Sequence, residues 1–342
     1  MMPTSPGRAR RFIKSKKATP FWKGPIFCIR LNFKPSDTKI QQICAGIDPG
    51  SKREGFTVKS KSRTYLNIQS DTVSWVKKNL KTCREMRRTR RNRNTPCRKC
   101  RSNRSRSKTW LPPSTKARWQ CKLRIVNILR KAYPISDYAV EDVRAETKKG
   151  KKKSWNKNFS PLEVGKTWFY SELKKLGKLH LYSGKDTWNL RKSLKLEKSK
   201  NKLSDVFEAH CVDSWVLAND IVSGHETPDH KRILRMIPLQ LHRRQLHRLN
   251  FSKGGIRKNY GGTLSIGLKR GSLVTHKKWG KCYVGGASKG KVSLHRLDDG
   301  KRLTQCAKVN DVVFRSYNSF RWQLLPALKD GVSAAKIIQG DV

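Results

Sequence analysis

Apolar and polar positions change rhythm several times along the 342 residues, and each change marks an element. Residues 1 to about 42 are basic and punctuated by proline, with one apolar string, Ile26-Phe27-Cys28-Ile29, that predicts a single strand. From Ile43 the runs Ile43-Cys44-Ala45-Gly46-Ile47-Asp48, Gly55-Phe56-Thr57-Val58 and Thr64-Tyr65-Leu66-Asn67-Ile68 predict three strands, the first ended by Pro49-Gly50-Ser51. Three strands in succession predict an antiparallel meander. From Thr72 the spacing is helical through Trp75, Val76, Leu80 and Cys83, and the helix runs into a stretch from Lys81 to Lys108 with thirteen Lys or Arg and one acid, Glu85.

Beyond Pro112-Pro113, Ser114 can cap a second helix through Leu129, and Asp137 to Val143 reads as a strand. A lysine-rich loop, Lys148 to Lys153, separates it from a helix that Pro161 opens and that runs to about Leu176. Lys178 to Tyr182 predicts a short strand, and Asp205 with Glu208 reads as a capping box for a helix to Ile221. Strands and helices thus alternate, which predicts an α/β unit. The composition shifts at about Gly224, and past Gly254 short runs between glycines, such as Thr263-Leu264-Ser265-Ile266 and Val312-Val313-Phe314, predict a small twisted β-module.

Composition turns this outline toward nucleic acid. Seventy-eight Lys and Arg against 24 Asp and Glu give a net charge of +54, which repels itself unless a polyanion neutralises it. A membrane-surface role needs an amphipathic anchor or an apolar span, and the apolar runs are only a few residues long. DNA, RNA or both are the expected partners, wrapped over much of the surface. A helix as basic as the one from Lys81 is disfavoured in isolation by like charges at i,i+4, so its ordering is expected to depend on phosphates. With 36% hydrophobic residues and ten Trp the chain can still bury a core, over two or three folded units.

The nine cysteines are odd in number, irregularly spaced and partly set in apolar strings such as Ile43-Cys44-Ala45 and His210-Cys211-Val212. That usage fits reduced thiols, and with no signal-peptide pattern at the N-terminus it predicts the cytoplasm or nucleoid. Cys97-x-x-Cys100 has the spacing of half a zinc site, but no second Cys or His pair follows nearby. His242 and His247, set among arginines, are expected to face RNA, and Trp110 and Trp155, beside basic loops, to stack on bases.

Four residues suggest chemistry. Asp48 ends an apolar strand just before Pro-Gly, where a carboxylate can emerge at a sheet edge, although a turn-forming Asp is the commoner reading of that position taken alone. Glu141 shares its strand face with Ala139 and Val143, while Tyr138, Val140 and Asp142 take the other face, Asp142 in a structural role. An acid on a core-facing strand needs a partner or a metal. His210 and Asp213, three apart, share one helical face with Val206 and Leu217. Three carboxylates and an imidazole suit paired Mg²⁺ or Mn²⁺, the hard ions that drive phosphodiester hydrolysis.

Gly46-Ile47-Asp48-Pro49-Gly50-Ser51, Ala139-Val140-Glu141 and His210-Cys211-Val212-Asp213 resemble the three split motifs of a RuvC nuclease. The arginine-rich helix between the first two resembles the bridge helix of the transposon-encoded IscB group, and Pro3-Thr4-Ser5-Pro6-Gly7-Arg8-Ala9-Arg10-Arg11 resembles that group's N-terminal module. IscB proteins carry an HNH nuclease between the second and third motifs, whereas residues 144–209 here hold one His, His180, and no Cys. The chain therefore looks most like IsrB, the HNH-lacking relative.

That resemblance implies an RNA-guided, Mg²⁺-dependent nickase of the non-target DNA strand. Asp48, Glu141 and Asp213 would hold the metals, with His210 a ligand or a proton-handling group. It makes Arg84, Arg87, Arg88, Arg90, Arg91, Arg93, Arg98, Arg101, Arg104 and Arg106 contacts to the guide RNA or heteroduplex backbone. The partners would be a guide RNA with a structured scaffold and target DNA, held by a monomeric protein with one RNA and no membrane. The implied fold is an α/β, RNase H-like (RuvC) mixed sheet split by the bridge helix, with a small N-terminal module and a C-terminal β-rich module. The expected division is 1–42 N-terminal module, 43–70 first RuvC part, 71–110 bridge helix, 111–185 second part, 186–223 third part, and 224–342 a region that binds RNA and reads the target flank. The alternatives are a guide-independent RuvC-like junction endonuclease, which would need no such helix, and a non-catalytic basic RNA-binding protein.

Overall fold

The computed structural model describes residues 3–23, 26–34, 41–93, 110–143, 160–240, 249–250, 255–256 and 264–325. Helix α1 (Pro6–Lys14) starts where the Ser5 hydroxyl accepts the Arg8 N–H and Pro6 takes the first helical position. Strands β1 (Ala18–Lys23) and β2 (Ile26–Leu31) follow as an antiparallel hairpin. The single strand expected at Ile26 to Ile29 is thus one arm of a pair. Pro20 hides the other arm, since proline reads as a break but is tolerated where its missing N–H faces outward from a two-stranded ribbon.

Strands β3 (Ile43–Asp48), β4 (Arg53–Ser60) and β5 (Arg63–Asp71) form the expected meander. After α2 (Trp75–Asn92) and α3 (Pro113–Ala132), β6 (Asp137–Glu141) pairs parallel to β3. After α4 (Pro161–Lys174), β7 (Lys178–Tyr182) pairs parallel to β6. Then come α5 (Gly184–Ser193), α6 (Phe207–Val222) and β8 (Ile233–Pro238), the last pairing parallel to β5. The order β5-β4-β3-β6-β7, with β4 antiparallel to both neighbours, is that of an RNase H-like sheet.

The remaining strands are β9 (Leu249–Asn250), β10 (Gly255–Ile256), β11 (Leu264–Ser265), β12 (Leu268–Lys269), β13 (Leu273–His276), β14 (Gly280–Ser288), β15 (Lys291–His295), β16 (Arg302–Lys308), β17 (Val312–Ser316) and β18 (Phe320–Leu325). Strands β13 to β17 build a five-stranded antiparallel sheet in the order β16-β15-β14-β13-β17 over its own core of Val274, Cys282, Val284, Val292 and Leu294. Two strands of the C-terminal region, one before this sheet and one after it, lie outside it. β8 and β18 extend the central sheet to seven strands, β18-β8-β5-β4-β3-β6-β7, because their apolar faces pack there: Ile233 and Met236 on β8 and Phe320 on β18 are all buried.

Three local expectations are corrected too. The second helix begins at Pro113 after Pro112, so Ser114 lies inside its first turn and caps nothing. The last helix of the nuclease unit begins at Phe207 without any side-chain cap. Asp205 does not cap it because its two carboxylate oxygens accept instead from Arg53 and Arg235, both at 2.7 Å. Finally, β6 stops at Glu141, two residues short of Val143.

One face of the central sheet carries the main core, where Tyr138, Val140, Phe56 and Val58 meet Ile125, Val126 and Leu129 of α3 and Phe169 and Leu173 of α4. The opposite face carries α6, thirteen of whose sixteen residues are buried. A helix that deep needs close approach to the strands, and two glycines permit it. A Cβ on Gly46 would lie 1.8 Å from the Ser214 carbonyl oxygen, and one on Gly55 2.4 Å from that of His210. Helix α6 therefore lies directly over β3 and β4, which fixes where His210 and Asp213 emerge.

Candidate metal centre

Strands β3 and β6 run parallel and side by side, so their last residues, Asp48 and Glu141, leave the sheet at the same edge. Helix α6 brings Asp213 over that edge. One ligand atom from each of Asp48, Glu141 and Asp213 lies within 4.8 Å of the others, close enough to share a cation. Asp48 and Asp213 are buried, at 6% and 1% exposure, and Glu141 is half-buried.

His210 is joined to this cluster without adding a free nitrogen to it. Its Nδ1 lies 2.8 Å from Asp48 Oδ2 and its Nε2 3.0 Å from the Lys202 carbonyl oxygen. Both ring nitrogens are thus engaged by oxygen partners. Burial alone would raise the Asp48 carboxyl. The hydrogen bond from His210, with the charges of Lys198 and His210, more than offsets that and holds Asp48 below the usual carboxylate range. Glu141 goes the other way: burial, then the Asp48 and Asp213 carboxylates, push it up to about 8. Three acids that repel one another at this distance make a cluster that favours a cation.

Two cations already bind Asp213, and neither stands out in the sequence. Asp213 accepts from Arg191 of α5 and from Lys198 of the α5–α6 connection. Among 78 basic residues nothing distinguishes these two in the sequence, since their role depends on a chain reversal that spacing does not reveal. The connection is fastened to the sheet. Arg53 Nη1 donates to the Ser204 carbonyl at 3.1 Å and Gln69 Nε2 to the same oxygen at 2.9 Å, while Arg53 and Arg235 bind Asp205.

Asp142 turns to the opposite face, where Lys166 Nζ approaches at 2.8 Å and the Tyr170 hydroxyl donates at 3.0 Å. Helix α2 buries none of its residues, and Arg84, Arg87, Arg88, Arg90, Arg91 and, just past its end, Arg93 are carried along it. Arg98, Arg101, Arg104, Arg106, Cys97, Cys100, Trp155, His242 and His247 lie outside the described residues. Trp110 is exposed, and all seven described cysteines are free thiols. Among the described residues no helix is long and apolar enough to cross a membrane.

Residues 1–158 match a sequence family described as "RRXRR protein". Arg87-Arg88-Thr89-Arg90-Arg91 on α2 spells that pattern, and the matched span includes Asp48 and Glu141 but ends before Asp213. No curated protein matches the chain. Among solved structures it is similar to T. thermophilus RuvC in complex with Holliday junction substrate, at 13% identity and TM-score 0.26 over 52% of this chain and 90% of that one. It is also similar to the yeast mitochondrial Holliday junction resolvase Ydc2, at 15% identity and TM-score 0.26 over 54% and 78%. The RNase H-like sheet, with an acidic cluster able to bind metal at its edge, supports a nuclease.

Proposed function

We propose that this chain is an RNA-guided, Mg²⁺-dependent DNA endonuclease of the IsrB type that nicks the non-target strand through one RuvC centre. The observation that carries the reading is the convergence of Asp48, Glu141 and Asp213 within 4.8 Å at a sheet edge, the strands that carry the first two being separated in sequence by an arginine-rich helix that buries none of its residues. The donor set fits divalent metal: three carboxylates are hard oxygen ligands, and burial, then the Asp48 and Asp213 carboxylates, raise Glu141, a penalty that a bound cation would relieve. When bound, paired Mg²⁺ or Mn²⁺ would polarise the phosphodiester and the attacking water.

The chain's own residues prepare that chemistry. His210 fixes the Asp48 carboxylate and presses it toward the ionised, metal-binding form. Arg191 orients Asp213 from α5. The α2 arginines offer a phosphate-binding track that reads charge and not sequence, which suits a guide RNA whose bases do the recognition. Under this reading the five-stranded C-terminal sheet contacts the target flank. Among the described residues there is one such carboxylate centre, which under this reading cuts one strand.

The test is expression together with the flanking locus, sequencing of co-purifying RNA, and incubation with a supercoiled plasmid that carries the matching target. Relaxed circles that require RNA, Mg²⁺ and Asp213 are expected. Linear product overturns the single-centre reading, cleavage without RNA points to a junction enzyme, and RNA binding without any cleavage to a packaging protein.

A further inference from the structure

The carboxylate cluster already holds a cation that belongs to the protein. Lys198 contacts Asp213 directly. Because one ligand atom each of Asp48, Glu141 and Asp213 lies within 4.8 Å of the others, an ammonium on Asp213 stands at the mouth of the whole cluster. Arg191 also binds Asp213, but it is anchored on a helix and its side chain is only 14% exposed. Lys198 reaches in from a non-helical connection on a four-carbon stem, with 28% of its side chain exposed, and has solvent to retreat into.

We propose that the Lys198 ammonium is the built-in counter-ion of the carboxylate cluster, filling it in the metal-free protein and leaving when divalent cations enter. The inference rests on the metal-centre reading above. Two divalent ions carry four positive charges into a site with three carboxylates, so a resident ammonium becomes a like-charge neighbour and is expelled. Its exit has a chemical use, because an ammonium released at the rim of the centre stands where a phosphate backbone must pass. Lys198 is then a positioning residue that keeps the acids apart and ordered before loading and competes with the metal for them.

Competition gives a signature that a purely structural lysine would not. Mn²⁺ binding to the full-length chain, freed of nucleic acid, is followed by the electron paramagnetic resonance of free Mn²⁺, with Asp213→Asn as background. Lys198→Met should bind Mn²⁺ on the order of tenfold more tightly than wild type. Lys200→Met, which removes the same charge from an exposed neighbour, should leave the affinity unchanged. A second measurement needs no variant: acylation of the Lys198 amine, read by mass spectrometry in the wild-type chain, should rise several-fold on adding Mn²⁺. Unchanged or weaker Mn²⁺ affinity in Lys198→Met overturns the proposal, as does Lys198 acylation that Mn²⁺ leaves unchanged or lowers. If the variant fails to fold, acylation decides alone. No Mn²⁺ binding by the wild type overturns the metal centre itself, a result distinct from the other two.

Discussion

His210 Nδ1 lies 2.8 Å from Asp48 Oδ2, a bond between α6 and the end of β3 across 162 residues of chain. It ties the position of the helix to the orientation of the first carboxylate. Replacing His210 with Ala should cost 10–100-fold in metal affinity, the usual effect of losing a partner that orients a ligand. Mn²⁺ titration of the folded variant measures it, and wild-type affinity would show that Asp48 needs no such support.

Metal binding should appear as stability. A ligand at 100 times its dissociation constant stabilises the native state by about 2.7 kcal/mol. Mg²⁺ or Mn²⁺ is therefore expected to raise the melting temperature of the wild type and not of Asp213→Asn or Asp48→Ala, and both variants should lose plasmid relaxation. Calorimetry with and without metal, beside a nicking assay, tests both halves.

The glycine contact under α6 predicts a large effect from a small change. Gly46→Ala puts a methyl group into the Ser214 carbonyl, and overpacking of this kind costs about 1–3 kcal/mol, here at the upper end because the obstacle is backbone. Because relief requires lifting α6, the carboxylates should separate. Denaturant unfolding and metal affinity should decline together.

The pair Lys122–Glu54, 2.5 Å apart, joins α3 to β4 inside the main core with both side chains almost wholly buried. Burial pushes the Glu54 carboxyl up, and Lys122 opposes that. Lys122→Met should cost about 3–5 kcal/mol by stranding a buried charge. The sign with pH follows. A carboxyl whose folded pKa exceeds its unfolded one holds its proton more tightly in the native chain, so stability falls as pH rises from the unfolded value toward the folded one. The penalty of Lys122→Met should therefore be smaller at pH 5 than at pH 8, and Glu54→Gln with Lys122→Met should recover most of it. Urea unfolding at the two pH values checks this.

Helix α2 packs against the core only through the partly buried Trp75 and Val76 of its first turn, so the order of its arginine-bearing remainder should depend on its ligand. Replacing Arg87, Arg88, Arg90 and Arg91 with Gln should weaken RNA binding and reduce the slope of log affinity against log salt by about 3, at roughly 0.7 per lost phosphate contact. Trypsin cleavage within residues 75–93 should fall when RNA is added to the wild type. A salt slope identical to wild type would place the RNA elsewhere.

The strands and the acids were legible because burial leaves its period in the text. Ile43 to Asp48, buried throughout, is an unbroken apolar run that ends in a carboxylate, and Glu141 follows Ala139 on the face turned to α6, beside Cys44, Leu217 and Ala218. Asp205 misled because a capping residue and an ion-pair partner look the same until Arg53 and Arg235 are seen to converge on it. Strands β8 and β18 were hidden for a similar reason: β8 pairs with β5 at Ile68 beside Leu234, far back along the chain, β18 then pairs with β8, and strand pairing at such separation has no local signal.

Taken alone, then, the sequence determined what is local. It set the alternating α/β pattern, the polyanion partner demanded by +54 charges, and four residues whose chemistry calls for a partner. Only tertiary structure decided which groups meet. The depth of α6, permitted by Gly46 and Gly55, draws Asp213 to Asp48 and Glu141, turns His210 onto Asp48, and picks Arg191 and Lys198 out of 78 equivalent bases. A charge acquires its role from the few ångströms around it, and those distances are fixed by packing between segments that the chain keeps far apart.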